Sequence, residues 1–578
     1  MKQLTFLLLA MLAAQISFAQ LSTTNLRTEY KTNPLGIGET KPRLSWELVS
    51  SARDVMQTAF QIRVAASESD LSKGKNLLWD SGKIASDQSN QVVYAGSLLA
   101  SRQRCHWQIR VWDNKGNDSG WSKPAWWEMG LLAQTDWKAQ WIEPGWDEDT
   151  TKSNPAPMLR KTFRLAGDVR RARVYATAHG LYEAEINGKK VGDQLFTPGW
   201  TSYHERLQYQ TYDVTNLLLP GDNAIGVTLG DGWYRGWIGW ENHRNHYGKK
   251  VALLLQIEVT YKNGKTEIFT SDNSWRSSTG AILESDIYNG EVYDALLEKT
   301  GWTMPNYVDR NWKNVRTANY GFNNIVASVG VPVRKIQELK PAKIFMTPKG
   351  ELVVDFGQNM VGWVRLKIKG ETGKTINLYH AEVLDKDGNF YTENMRSAKT
   401  RIQYNMRGGG EEIYEPKFTF MGFQYVKVEG YPGELKPENI TGIVVHSDLR
   451  KTGDFECSNA LVNQLQRNIQ WGQKGNFLDV PTDCPQRDER MGWTGDAQAF
   501  SRTANFNHDC AAFYTKWLAD VAADQADNGN VPFVVPNVLP PWGGSMAGGS
   551  TGWADASTIV PWNTYLAYGD TRLLENQY

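Results

Sequence analysis

"SNALVNQLQRNIQW", residues 458–471, is where the grammar of the chain changes. Leu461, Leu465 and Ile469 recur at the i, i+4 spacing of an amphipathic helix, behind Ser458, a residue type suited to capping a helix N-terminus. The text after it stays helical. "TGDAQAFSRTANF" (494–506) opens a second helix. "DCAAFYTKWLADVAADQA" (509–526), capped by Asp509, sets Phe513, Trp517 and Val521 on one face. "TGWADASTIVPWNTYLAYGD" (551–570) starts a fourth helix, and "DTRLLENQY" (570–578) reads as the opening of another. A helical domain therefore begins near residue 450.

Everything before it reads as β structure. Residues 22–132 alternate in short runs such as "PRLSWELV" (42–49) and "CHWQIRVWDNKGNDSGWS" (105–122), with Trp107, Ile109 and Val111 on one face. That length and pattern suit a sandwich of fibronectin type III kind. Residues 136–320 form a second β region, a jelly-roll-like accessory domain, in which Asn187-Gly188 is a strong hairpin signal. Its "LLLPGDNAIGVTLGDGWYRGWIGW" (217–240) ends in a dense aromatic loop. Trp233 and Trp237 there, with Tyr234 and Trp240, suit either a sugar platform or an aromatic plug. Residues 325–447 make a third β region, a β-sandwich, with "ELVVDFGQNMVGWVRLKIKG" (351–370) and "FTFMGFQYVKVEGY" (418–431) as alternating strands. Sheet packing is the default reading for Asp355, Gln358 and Trp363.

At 578 residues the chain is too long for one core. Lys+Arg and Asp+Glu both number 63, so no charge excess steers it to nucleic acid or to anionic membranes. The 24 Trp and 24 Tyr against 19 Phe suit β cores and sugar clefts alike. "MKQLTFLLLAMLAAQISFAQ" (1–20) has a basic Lys2, a short apolar run and small residues fitting cleavage after Ala19, which marks export to the periplasm or beyond. The run is too short to span a bilayer, and no later stretch reads as a membrane span. Cys105, Cys457, Cys484 and Cys510 show neither CxxC nor zinc spacing and assign no disulfide.

Between the first two helices lies "DVPTDCPQRDERMGWTGDAQAF" (479–500), with five acidic residues, two arginines and a tryptophan. Asp496, in the first turn of the following helix, is expected to be stabilised as an anion by unpaired N–H groups. A carboxyl partly desolvated beside Trp493 would instead keep its proton at neutral pH. Two acids pushed apart in this way suit glycosidic cleavage. The alternative is an ion-pair knot that joins Arg487 and Arg490 to Asp488 and Asp496 and only fixes the loop.

"DCPQRDERMGWTGDAQ" (483–498) resembles the signature of bacterial α-L-rhamnosidases, glycoside hydrolase family 78, over sixteen positions. "DFGQNMVGW", "LGDGWYRG", "FTFMGFQYVKVEGY", "GWADA" and "YGD" resemble family segments in their usual order. The resemblance implies accessory β domains followed by an (α/α)6 barrel that holds the active site. Carried over, it makes Glu489 the general acid. It places Asp483, Arg487, Trp493 and Asp496 around the terminal rhamnose, and Trp553 and Asp555 beside it as an aromatic wall and a hydroxyl acceptor. It implies inversion, with a second carboxylate as base. It further implies that residues 450–578 hold only the first helices of the barrel, that the base lies beyond residue 578, and that this chain by itself lacks hydrolytic activity. The expected partner is a rhamnose-containing glycan or glycoside. No cofactor is required; the resemblance allows calcium in an accessory β domain, and no ligand set in the sequence assigns it. Two further readings stay open: a non-catalytic carbohydrate-binding protein using its aromatic-rich β domains, and an (α/α)6 enzyme acting on another sugar.

Overall fold

The computed structural model describes residues 21–240, 243–539 and 549–578; residues 1–19, read as an export leader, lie outside the described residues. The chain divides into two compact units, Met1–Asp136 and Trp137–Tyr578. None of the described helices is long and apolar enough to cross a membrane.

The first unit is a sandwich of a three-stranded sheet (Ser22–Thr28, Arg43–Val49, Val92–Val93) and a five-stranded one. The second sheet is built on Gln57–Ala65 and Arg104–Asp113, which pair antiparallel. Trp107, Ile109 and Val111 are fully buried, together with Phe60, Ile62, Val64 and Trp127. The period-2 pattern thus sets the core face directly.

The second unit begins with two stacked sheets around a continuous apolar core that includes Leu159, Val174, Ile225 and Leu253. Asn187 and Gly188 turn Leu181–Ile186 into Lys189–Lys190 with φ of +50° and +77°, the double positive φ of a type I′ hairpin. A ten-stranded sheet follows, organised on the long strand Leu352–Lys369, which pairs with Met421–Glu429 on one side and Ile440–Ser447 on the other. Trp363 is buried there and donates its indole N–H to Glu415 at 2.8 Å.

The boundary read near 320–325 is not a clean cut in space. Ile282–Asp286 and Gly290–Asp294 already belong to the ten-stranded sheet, whereas Ile325–Ala327 returns to pair parallel with Leu207–Asp213. Long-range strand pairing leaves no local signal, so a linear reading could not find this exchange.

The helical part comprises α1 (Ala460–Asn476), α2 (Thr494–Asn507), α3 (Ala511–Ala523), α4 (Ala556–Tyr568) and α5 (Thr571–Gln577). Helix α3 is buried nearly all round, Phe513, Trp517 and Val521 included, and so forms the centre of this part. Helix α2 packs along α4. Two caps differ from expectation. Asn459, not Ser458, caps α1 by accepting from the N–H groups of Leu461 and Val462, and Cys510, not Asp509, precedes α3. The stripe on α1 also faces outward: Leu461 is 81% and Leu465 57% exposed. The inward residue of α1 is Gln473, which accepts from the His508 ring at 3.0 Å and donates to Ala504 O. An i, i+4 stripe shows which face is apolar and not whether a neighbour covers it.

Candidate active site

The motif loop runs from a tight strand pair, Phe477–Leu478 with Val480–Pro481, into α2. It closes on itself through paired bonds: Asp483 N–H donates to Met491 O, and Met491 N–H to Asp483 Oδ1, both at 3.2 Å. Its exit is pinned by Val535 N–H on Gly492 O (2.8 Å) and Thr494 N–H on Phe533 O (2.9 Å). A side chain at 492 would place its Cβ 2.1 Å from Val535 O, so only glycine fits.

At the apex Glu489 and Arg490 adopt φ of +141° and +45°. Non-glycine residues rarely occupy this region, and such strain persists only where surroundings over-determine it. Those surroundings are present. The Arg490 guanidinium, 1% exposed, donates to the carbonyls of Gln486, Arg487, Ile287 and Phe420 at 2.8–3.0 Å. It lies between the rings of Tyr288 (4.8 Å) and Phe420 (5.2 Å). The Tyr288 hydroxyl donates to Glu489 O, and Asp488 Oδ2 accepts from the Ser397 hydroxyl at 2.7 Å. The loop is therefore clamped from below by the β domains.

The Glu489 carboxylate, 7% exposed, is held at both oxygens. Oε1 accepts from the Trp493 indole N–H at 3.1 Å. Oε2 accepts from Arg487 at 3.0 Å and from Arg396 at 3.3 Å. Arg487 also reaches Asp483 Oδ2 at 3.4 Å, and Arg396 reaches Asp488 Oδ1 at 3.5 Å. An ion-pair knot does exist, but with other partners than the sequence suggested: Arg490 binds carbonyls instead of carboxylates, and Asp496 pairs with neither arginine. Arg396, Ser397 and Tyr288 were not picked out from sequence. They lie about 90–200 residues away from the motif on short turns with no spacing that signals a site.

Burial, reinforced by the Glu489 charge, pushes Asp483 up to about 6. Partial burial also raises Asp496 above the ordinary carboxyl value, although it stands on the solvent side of the cluster. The rise opposes the expected stabilisation of the Asp496 anion by the helix N-terminus. Its own N–H does favour the charge, but desolvation outweighs it. Asp483, Cys484 and Glu489 bring one ligand atom each within 4.8 Å of one another. Burial holds the Cys484 thiol protonated, and Arg487 and Arg396 already supply the positive charge, so this donor set suits a sugar and a proton better than a cation.

Aromatic rings edge the cluster. Trp240, from the jelly-roll loop, lies 6.0 Å from Trp493, centroid to centroid. Trp553, 37% exposed, approaches the backbone of Gly495 with its indole nitrogen and Phe533 with its ring edge. Asp555 Oδ2 accepts from Gly552 N–H at 3.0 Å, beside Trp553. The other tryptophans of the 232–240 loop do something else. Trp233 is 3% exposed and stacks flat on Trp200 at 5.6 Å; Trp237 has the Arg244 guanidinium over its ring at 5.4 Å. A sugar platform at Trp233 is therefore ruled out by burial, and the loop is an aromatic plug whose Trp240 faces the motif.

Comparison with known proteins gives concordant matches. Family models match residues 23–133 (Rha78A-like, N-terminal immunoglobulin domain), 167–337 (alpha-L-rhamnosidase N-terminal domain), 345–446 (bacterial alpha-L-rhamnosidase concanavalin-like domain) and 450–578 (bacterial alpha-L-rhamnosidase 6 hairpin glycosidase domain). An alpha-L-rhamnosidase of Streptomyces avermitilis is 36% identical over 96% of this chain and 69% of its own length. One of Formosa agariphila is 41% identical over 94% of this chain and 59% of its own. The crystal structure of the Streptomyces avermitilis protein, complexed with L-rhamnose, superposes with a TM-score of 0.92 over 96% of this chain and 70% of that one. That of an Aspergillus terreus α-L-rhamnosidase, 41% identical, superposes with 0.91 over 96% and 64%. The chain thus spans about six- to seven-tenths of the length of these relatives.

Proposed function

The chain belongs to the bacterial α-L-rhamnosidase family, and from that premise we propose that it serves the hydrolysis of terminal, non-reducing α-L-rhamnose from glycosides or polysaccharides, with inversion. The observation that carries this reading is the convergence of Glu489, Asp483, Arg487 and Trp493 within one clamped, strained loop.

Glu489 is the proton donor in this scheme. Among the described residues its Oε1 accepts only from an indole N–H, which leaves that oxygen open to a departing glycosidic oxygen; the arginines hold Oε2 and fix the orientation of the group. Asp483, raised to about 6, is mostly carboxylate at neutral pH and accepts from sugar hydroxyls, and Arg487 ties it to Glu489. Trp493, Trp240 and Trp553 offer faces for the apolar side of a deoxy-sugar, and Asp496 and Asp555 offer hydroxyl acceptors. Inversion also needs a water-activating carboxylate roughly 6.5–9.5 Å from the acid. Proton transfer and water suffice, without a metal.

Two measurements test the proposal separately. Calorimetric titration of the 578-residue chain with L-rhamnose should show binding that Trp493→Ala weakens about tenfold or more. Release of the aryl group from an aryl α-L-rhamnoside, assayed in whatever length of the protein supports turnover, should fall at least about 10³-fold on Glu489→Gln. Absence of rhamnose binding, or turnover indifferent to Glu489→Gln, overturns it. The leader-like residues 1–19 support export, and N-terminal sequencing of secreted protein should then begin near residue 20.

A further inference from the structure

The turn of residues 286–289, between the strands Ile282–Asp286 and Gly290–Asp294 of the ten-stranded sheet, touches both the motif loop and the aromatic loop of the jelly-roll domain. Asp286 is fully buried at its start. Its Oδ1 accepts from the N–H groups of Tyr288 and Asn289, both at 2.9 Å, and so closes the turn. Its Oδ2 accepts from Trp237 N–H at 2.9 Å and so holds the aromatic loop to the same turn. Gly236 admits that approach, since a Cβ there would stand 2.4 Å from Gly232 O and 3.0 Å from Asp286 Oδ2. Burial pushes the Asp286 carboxyl up to about 6 and its N–H donors pull the other way, so at neutral pH it is chiefly an anion that only accepts.

The far side of the turn reaches the motif. The Tyr288 hydroxyl accepts from Gly239 N–H at 3.2 Å and donates to Glu489 O. The next residue of the aromatic loop, Trp240, is the one that faces Trp493. Glu489 O belongs to the peptide between the two residues of positive φ, so the bond from Tyr288 fixes the plane from which the Glu489 side chain departs. A backbone in that region keeps one orientation only while its neighbours impose it.

We propose that Tyr288 is a positioning residue for the general acid: its hydroxyl, held between Gly239 and Glu489 on a turn that Asp286 anchors, aims Glu489 Oε1 at the departing oxygen. Two β domains thereby share in mounting the acid, and the aromatic loop that presents Trp240 is tied to the same mounting. The inference rests on the rhamnosidase reading of Glu489 and adds to it the residues that aim that side chain.

The leaving group separates aim from general integrity. Methoxide departs poorly without a proton, whereas a dinitrophenolate departs largely without one, so impaired proton donation weighs more on methyl α-L-rhamnoside than on a dinitrophenyl α-L-rhamnoside. Tyr288→Phe keeps the ring beside the Arg490 guanidinium and removes the hydroxyl. In the length of the protein that supports turnover, it should lower kcat on the methyl glycoside about ten- to a hundredfold, lower it about tenfold less on the dinitrophenyl glycoside, and change KM by less than about threefold. Asp286→Asn, which replaces one accepting oxygen by an amide donor, should show the same bias. Equal losses on the two substrates, no loss at all, or a folded Asp286→Asn protein with the parent's ratio overturns the inference; where circular dichroism shows that Asp286→Asn does not fold, Tyr288→Phe decides alone. Glu489→Gln, measured alongside, should show the bias more strongly. Its absence there overturns the rhamnosidase reading of Glu489, and so the two failures are told apart.

Discussion

Glu489 presents its carboxylate from a backbone that costs about 1–3 kcal/mol to hold, and Arg490 is the residue that holds it. Four buried carbonyls depend on one guanidinium fork. Lysine cannot serve four acceptors in that plane, so Arg490→Lys should lower stability by about 2–4 kcal/mol in denaturant unfolding and abolish activity. An unchanged midpoint would show that the loop needs no such anchor. Trp493→Phe is a finer probe: it keeps a ring and removes the one donor to Glu489 Oε1 among the described residues. It should reduce kcat about ten- to a hundredfold with a smaller change in KM, since the lost bond orients the acid more than it grips the sugar. At this scale the sequence was informative about identity and silent about partners. Sixteen contiguous positions carried Glu489, Asp483 and Trp493. Arg396 and Tyr288 complete the same site from turns far upstream, where side-chain convergence is a property of the fold alone.

Elements bring those residues together through close backbone approach. Residues 492–494 lie against 533–535, and Gly495 against the Trp553 indole, so α2 starts where two chain segments meet it. Gly492→Ala should therefore cost more than an ordinary helix-end substitution, about 2 kcal/mol or more, because the Val535 carbonyl has to move. Thermal unfolding of the variant within a degree of the parent would contradict that contact. Element type was legible from period alone: Trp107, Ile109 and Val111 on a strand face, and Phe513, Trp517 and Val521 on a helix face, are all buried. Element partners were not. The stripe of Leu461 and Leu465 faces outward, and Ile282–Asp286 crosses into the ten-stranded sheet, because neither burial nor long-range pairing is written in a local period.

Within the 137–578 unit, two sets of buried groups oppose each other between pH 4 and 7. Burial raises Asp286, Asp483 and Asp520 to about 6 and Glu291 to about 7. The folded state then holds protons that the unfolded chain releases, so these groups contribute stability at pH about 4 that is lost as pH rises through 6 to 7. Burial lowers His179, His380 and His508 to about 4. Here the unfolded chain binds the extra protons, so the contribution is complete above pH about 6.5 and is lost as pH falls towards 4. The two sets oppose each other across one window, and the unfolding midpoint of this unit should change little between pH 4.5 and about 6.5. Glu291→Gln unbalances them. Its carboxyl is wholly buried, accepting from the Tyr414 hydroxyl at 2.7 Å and from Lys417 N–H at 3.0 Å, and the amide keeps that shape without a titrating proton. With one falling arm removed, stability should rise with pH across the window, by about 2–3 kcal/mol relative to the parent. Scanning calorimetry of both proteins at three pH values decides it. Parallel profiles would mean that Glu291 is not protonated in the folded state, and the opposition of carboxyls and imidazoles would not be what levels the curve.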